Sequence, residues 1–299
     1  MRLAIAFVAG LLLAQPEPAP ESAQRPVMVN TGAPMRIPSP CTEEDIHALS
    51  LTCTAEHPCP VYLELSEFER LGQKIFLTGN LHTETVTLAS ILLASDDDGK
   101  TWYEPYERIR SAGLDQIRFA DFEAGWVAGY VMQHALPRDP FLLITSDGGR
   151  TWRRRPVWSE SRIGLIEHFY FADRGNGWLW VDRFSEGEAG RYEFYESKTG
   201  GESWMLRQIT DQPLPKKGVR SPNPEWRLRA DAASRSYRLE RGGPQKWQAV
   251  ASFLIHVGEC REEEKPLVEP PAPPEPPSPQ EPPAPKTPRK PPSLKPKPR

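Results

Sequence analysis

The chain has 299 residues, 34 of them proline, and a mean hydropathy of −0.56, so only part of it can form an apolar core. A formal charge of −3 and an isoelectric point near 6.1 leave no global basic field of the kind that holds nucleic acid.

Met1 to Ala14, MRLAIAFVAGLLLA, carries a short n-region with Arg2 and then a mostly apolar run ending in a small residue. This is the layout of a secretory signal peptide, with cleavage as late as residue 23. It falls short of the about 20 residues that a membrane-spanning helix needs. Gln15 stands where a lipid anchor needs cysteine, so the sequence predicts a soluble secreted or periplasmic protein. A proline-rich linker, residues 15–40, leads to a cysteine-containing segment, residues 41–60. There Thr42 followed by Asp45 predicts a short helix with a capping box.

Four cysteines on an exported chain read as disulfides and allow three pairings. Cys41, Cys53 and Cys59 precede the first strand-like run, and Cys260 ends the last. The expected set is Cys59 with Cys260, joining the two ends of the domain, and Cys41 with Cys53, tying down the helix. A Cys53–Cys59 pair closing the small CTAEHPC loop is the alternative. No CxxC or HxxxH spacing points to zinc, and no cofactor is implied.

The region from residue 61 to 260 repeats. FADFEAGWVAGY (Phe119–Tyr130) aligns without gaps on FADRGNGWLWVD (Phe171–Asp182), and TSDGGRTW (Thr145–Trp152) aligns on SKTGGESW (Ser197–Trp204), both at an offset of 52. In each unit the first tryptophan precedes the second by 26, and Phe76 precedes Trp102 by the same 26. A fourth, weaker unit reads in YRLERGGPQKW, Tyr237 to Trp247, where the turn glycines survive without the acid. Short runs such as QIRFAD, GWVAGYV, PFLLITS and FYFAD are rich in aromatic and β-branched residues and bounded by turn formers, so they predict three or four strands per unit. Units of about fifty residues have the size of propeller blades.

Two turns spell Ser/Thr-x-Asp-x-Gly-x-Thr/Ser-Trp: Ser95, Asp97, Gly99, Thr101, Trp102, and Thr145, Asp147, Gly149, Thr151, Trp152. A third keeps Ser197, Gly201, Ser203 and Trp204 but has Thr199 for the acid. The carboxylate suits turn N–H groups, glycine permits a positive φ, and tryptophan anchors the hairpin to its sheet. An EF-hand needs acids at positions one, three and five before its glycine, and Ala94 fills the first, so Asp96 and Asp98 read as solvated turn acids.

These turns resemble the Asp-box, or BNR, family, and the GW…G strand before them resembles the propellers of photosystem II assembly factors. The resemblance covers about Val61 to Val250 and implies an all-β propeller of about four blades, open or closed. It also implies that the box is a structural hairpin on the outer rim. Closure in one chain places Val61–Leu65 beside Val250–Val257.

Asp-boxes also occur in sialidases, and MRIP at Met35–Pro38 is similar to their arginine motif. Those enzymes resemble one another in a triad of arginines, a tyrosine–glutamate nucleophile pair and an aspartate acid/base. Here MRIP is followed by SPCTEEDIHAL, and about four units follow, too few for a six-bladed ring, so no catalytic residue is assigned. His134 and His168 stand singly without a partner at ligand spacing. Arg153, Arg154 and Arg155 form a candidate patch for an anionic partner.

The end of the chain, residues 261–299, is dominated by proline and reads as an extended, PPII-rich spacer. Its glutamates come first and its lysines and arginines last, so its basic end suits peripheral contact with an anionic surface. Three function classes compete: a non-catalytic scaffold binding an envelope protein or polysaccharide, a sialidase-like glycosidase, and a purely structural envelope protein.

Overall fold

A computed structural model describes residues 27–133, 136–184, 187, 189–213, 225–243 and 246–261. The signal sequence, the first half of the linker, His134 and nearly all of the proline-rich tail lie outside the described residues.

The chain enters through β1 (Met28–Val29) and reaches α1 (Glu43–Ala48), the one helix among the described residues. Thr42 accepts the Asp45 N–H at 3.2 Å and the Asp45 carboxylate takes the Thr42 N–H at 3.0 Å, so two orphan donors of the first turn are satisfied reciprocally. Ile46 is the buried anchor of this helix.

The remainder is nearly all β. A first meander comprises β2 (Cys59–Leu71), β3 (Lys74–His82) and β4 (Thr87–Ser95), followed by the short β5 (Thr101–Trp102), which pairs with β1. The second sheet is β6 (Ala112–Phe119), β7 (Gly125–Gln133), β8 (Leu136–Thr145) and β9 (Arg153–Pro156). The third is β10 (Leu165–Phe171), β11 (Gly177–Asp182), β12 (Tyr192–Ser197) and β13 (Met205–Thr210). A fourth has three strands, β14 (Trp226–Asp231), β15 (Ser236–Gly243) and β16 (Lys246–Leu254). The last strand, β17 (His256–Cys260), returns to lie beside β2, giving a first sheet of order β17-β2-β3-β4. Successive antiparallel meanders packed through their faces are a propeller-like architecture.

Successive side chains point to opposite faces of a sheet, and the first and second sheets bury apolar residues on both faces against neighbouring sheets. Leu63, Leu77, Leu93 and Trp102 of the first sheet and its following turn pack with Leu239, Ala251 and Phe253 of the fourth. On its other face, Phe76 and Leu92 meet Ile117, Val127 and Phe141 of the second sheet. The second sheet then presents Trp126, Leu142 and Ile144 to Phe169, Leu179 and Val181 of the third. Among the described residues no such core joins the third sheet to the fourth.

Both ends of the domain are tied into this stack. Met35 pairs in parallel with Phe253 of β16, and Ile37 is fully buried. Tyr62 of β2 lies opposite His256 and Val61 opposite Gly258. The C-terminal strand therefore meets the first sheet about where closure requires. However, Val250 to Leu254, expected beside Val61–Leu65, belong to β16 and pair with β15.

Two sequence expectations need correction. The disulfides are Cys41–Cys260 and Cys53–Cys59, in place of Cys59–Cys260 and Cys41–Cys53. Cys59 and Cys260 are cross-strand neighbours, but Cys59 closes the tight loop back to Cys53. The segment from Arg36 onward lies beside β17, where Arg36 donates to the Val257 carbonyl and Ser39 neighbours Gly258, and this delivers Cys41 to Cys260. The weak fourth repeat also differs: Gly242 and Gly243 end β15, the second strand of its sheet, and Lys246 and Trp247 open β16, the third. The box-like turns follow β4, β8 and β12 instead, each the third strand of its unit's meander.

Candidate functional site

The acidic turns are occupied by their own backbone. Asp97 Oδ1 accepts from the Ser95 hydroxyl at 2.9 Å and from the N–H groups of Lys100 at 3.0 Å and Thr101 at 2.8 Å, while Oδ2 takes the Thr101 hydroxyl at 2.7 Å. Asp147 repeats the pattern with Thr145, Arg150 and Thr151. In the third turn the Thr199 hydroxyl takes over, accepting the Ser203 N–H at 3.0 Å. Burial would raise the Asp147 carboxyl, but the bonds from Thr151, Thr145 and Arg150 outweigh it and hold its pKa at about 2. Asp97 is lowered for the same reasons, burial opposed by bonds from Thr101, Ser95 and Lys100. The neighbouring acids also have partners, Asp98 with Arg70 at 3.3 Å and Asp96 with the Tyr103 hydroxyl at 2.7 Å.

Each turn also touches a neighbouring sheet. A side chain on Gly99 would meet Val250, on Gly149 it would meet Phe76, and on Gly201 it would meet Phe171, Ile144 and Leu142. Trp102 stands edge-on to Phe253, Trp152 to Phe76 and Phe119, and Trp204 to Phe171. Trp102 and Trp152 donate back to the carbonyls of Gly99 and Gly149, both at 3.0 Å.

The arginine run on β9 is distributed. Arg153 and Arg155 both pair with Glu202 of the third turn, at 2.7 and 2.5 Å. The Arg154 guanidinium lies 4.2 Å from the ring centroid of Phe141, capping the core. Two of the three charges thus tie the second sheet to the third.

Two clefts remain. One, of about 620 Å³, is lined by Glu64, Asn80, His82, Ser111 and Tyr130 among others, and Asn80 donates to Glu64 at 3.0 Å. Beside it burial, then Glu64 and Glu67, push the Asp115 carboxyl up to about 6. Burial, then Asp115 and Glu64, also raise the Tyr130 hydroxyl. Among the described residues no three His, Cys, Asp or Glu side chains gather as a metal-ligand set.

The second cleft, of about 580 Å³, lies between the second and third sheets and is lined by Arg138, Arg162, Arg183 and Glu193 with Ile163, Leu206 and Ile209. Glu193 is buried, and its Oε1 accepts from Arg183 at 2.8 Å and Arg162 at 3.0 Å. Its Oε2 accepts the Tyr195 hydroxyl at 2.5 Å, and Tyr195 in turn accepts the Trp158 indole N–H at 2.8 Å. The Trp158 ring carries both Arg162 and Arg183 at 4.6 and 5.1 Å. Burial and the bond to Glu193 push the Tyr195 hydroxyl up to about 12, so it stays protonated at neutral pH. Asp139 takes the Arg162 N–H at 2.9 Å and lies 3.8 Å from Arg138. Three guanidinium groups thus face two carboxylates, leaving the cleft net cationic.

Sequence reasoning missed this cleft because its arginines come from three separate places, the start of β8, the β9–β10 connection and the end of β11. No local spacing links them. Arg36, the sequence candidate for an arginine triad, instead bonds the Val257 carbonyl. His168 is buried against the Trp180 ring at 5.2 Å.

No family model matches the chain, and no curated protein does. Among solved structures it is similar to one described as YCF48 bound to D1 peptide, with a TM-score of 0.36 and 16% identity, over 64% of this chain and 54% of that chain. The chain thus spans about half the length of that protein.

Proposed function

We propose that this chain is an exported, non-catalytic scaffold of about four propeller-like blades, three of them carrying Asp-box-type turns, in an open arc, binding a protein or polysaccharide partner in the cell envelope. The observation that carries this reading is the cationic cleft walled by Arg138, Arg162 and Arg183 on one side and by exposed Leu206 and Ile209 on the other. Such a mixture of fixed charge and open apolar surface serves recognition. The acids of the turns, by contrast, are consumed by the fold. Two disulfides fit an oxidising compartment outside the cytoplasm.

A second reading, a sialidase-like glycosidase, is favoured by the same cleft, since three arginines stand near a tyrosine–glutamate pair. Against it, the Tyr195 hydroxyl is buried and bonded on both sides, and its high pKa suits a structural phenol. The test is to incubate the purified mature chain with aryl sialosides and to pass envelope extract over it, with and without residues 265–299. The scaffold reading expects no turnover and capture of a partner, with weaker capture at high salt where the basic tail contributes. Turnover abolished by Tyr195→Phe establishes the enzyme; no capture and no turnover leaves the purely structural protein.

A further inference from the structure

Seven large apolar side chains are exposed among the described residues, and three of them share one strand. Met205 is 57% exposed, Leu206 44% and Ile209 37%, all on β13. β13 is also the last strand of its sheet, with β12 on one side and no strand partner on the other among the described residues. Sheet edges are normally blunted by charge, proline or cover, because a row of unpaired N–H and C=O groups beside apolar side chains is a template for another strand.

The register aims this edge at the cationic cleft. Leu206 lies opposite Tyr195 and Ile209 opposite Glu193, with a shift between them that leaves Arg207 without an opposite residue. A bulge of this kind lets residues three apart share a face. Both side chains consequently line the cleft with Arg138, Arg162 and Arg183, whereas Arg207 pairs with Glu196.

We propose that β13 is the docking edge for an extended peptide of the partner, which adds as a fifth strand and turns an acidic side chain into the arginine cleft. This rests on the scaffold reading and names its partner class. Side chains alternate across an added strand, so a residue opposite Ile209 points to the same face as Ile209 and hence to the arginines. Three guanidinium groups against two carboxylates supply the charge complementarity, and planar guanidinium groups suit a carboxylate. A sugar chain fits less well, because the apolar wall is aliphatic, Ile163, Ala189, Leu206 and Ile209, and offers no flat ring for stacking.

The probe is a phage-displayed library of random ten-residue peptides, selected on the mature chain, with the best binder then synthesised and titrated by fluorescence anisotropy. The expected winners alternate apolar residues and carry one Asp or Glu, and replacing that acid by its amide weakens binding at least tenfold. Arg162→Gln should do the same while Arg183 still holds Glu193, and so should Ile209→Glu on the exposed strand, where folding is not at stake. Arg174→Gln, in a distant surface turn, should change nothing. Winners indifferent to both Arg162→Gln and Ile209→Glu overturn the β13 site and leave the scaffold reading standing. Failure of every peptide, with binding to an acidic polysaccharide, overturns the peptide class; failure of both with sialoside turnover overturns the scaffold reading too.

Discussion

Phe76 of β3 fills the space that a side chain on Gly149, in the turn after β8, would need. Gly149 has φ +81 and its N–H is held by the Thr145 hydroxyl at 3.0 Å, so the backbone is fixed in a left-handed conformation against the ring of the preceding sheet. Gly99 repeats the arrangement against Val250 of the fourth sheet and Gly201 against Ile144 and Leu142 of the second. The recurring turn therefore does more than reverse the chain: it presses each of these three sheets onto a neighbour.

Gly149→Ala is expected to be among the most destabilising single-methyl additions in the chain. It combines a left-handed L-residue, about 1 to 2 kcal/mol, with overpacking against a buried ring, about 1 to 3 kcal/mol. Gly243→Ala, where an added Cβ meets nothing within 4 Å, should change stability little. Urea unfolding of both variants checks this; equal midpoints would show that the turn is not clamped by Phe76.

Asp147→Ala should lower stability by about 1 to 3 kcal/mol, because two N–H groups and two hydroxyls lose their acceptor. The carboxyl pKa is depressed in the folded state, to about 2 from an ordinary 3.8. Its contribution is thus present above about pH 4 and fades as pH falls toward 2. Melting curves of wild type and Asp147→Ala should draw together from about pH 4 and nearly converge toward pH 2. A gap that persists unchanged at pH 2 would mean that the carboxylate is not the source.

Much of this was legible in the sequence because it is local. Thr42 and Asp45 spell a capping box within four residues, and the Ser/Thr-x-Asp-x-Gly-x-Thr/Ser-Trp spacing places every turn bond within four residues of its donor. The offset of 52 reports strands that recur with the same turns. What was not legible depends on which distant segments meet. Glu202 sits far from Arg153 in sequence, Arg138 from Arg183, and Cys41 from Cys260; those pairs are set by sheet packing and carry no local mark. The weak fourth repeat misled because a Gly-Gly turn suits any hairpin, whichever strands it joins.

The two disulfides should differ in weight. Cys41–Cys260 closes a separation of 219 residues and Cys53–Cys59 one of 6. Chain entropy alone assigns about 5 kcal/mol to the long closure and about 2 kcal/mol to the short one. Replacing Cys41 and Cys260 together by Ser should cost the larger share and free the N-terminal segment from β17. Replacing Cys53 and Cys59 should leave the fold largely intact. Thermal melts of the two double variants decide it, and the opposite order would refute the entropic ranking.

Asp115 provides the reverse pH signature to Asp147. Burial, with Glu64 and Glu67 close by, raises its folded pKa to about 6 from 3.8, so folding favours the protonated form. The sign then follows: toward pH 3 and below the carboxyl is protonated whether folded or not and costs nothing, whereas above pH 6 it is ionised in both states and the folded chain bears the cost of burying the charge, together with the repulsion from Glu64 and Glu67. A shift of about two units corresponds to ~1 to 3 kcal/mol at a half-buried site. Asp115→Asn should therefore raise the melting temperature at pH 7.5 and leave it nearly unchanged at pH 3. The Glu64→Gln variant should recover part of the same gain at pH 7.5, since it removes one of the repelling charges. If Asp115→Asn instead destabilises at pH 7.5, the ionised carboxylate has a favourable partner and the acidic cleft is not under electrostatic strain.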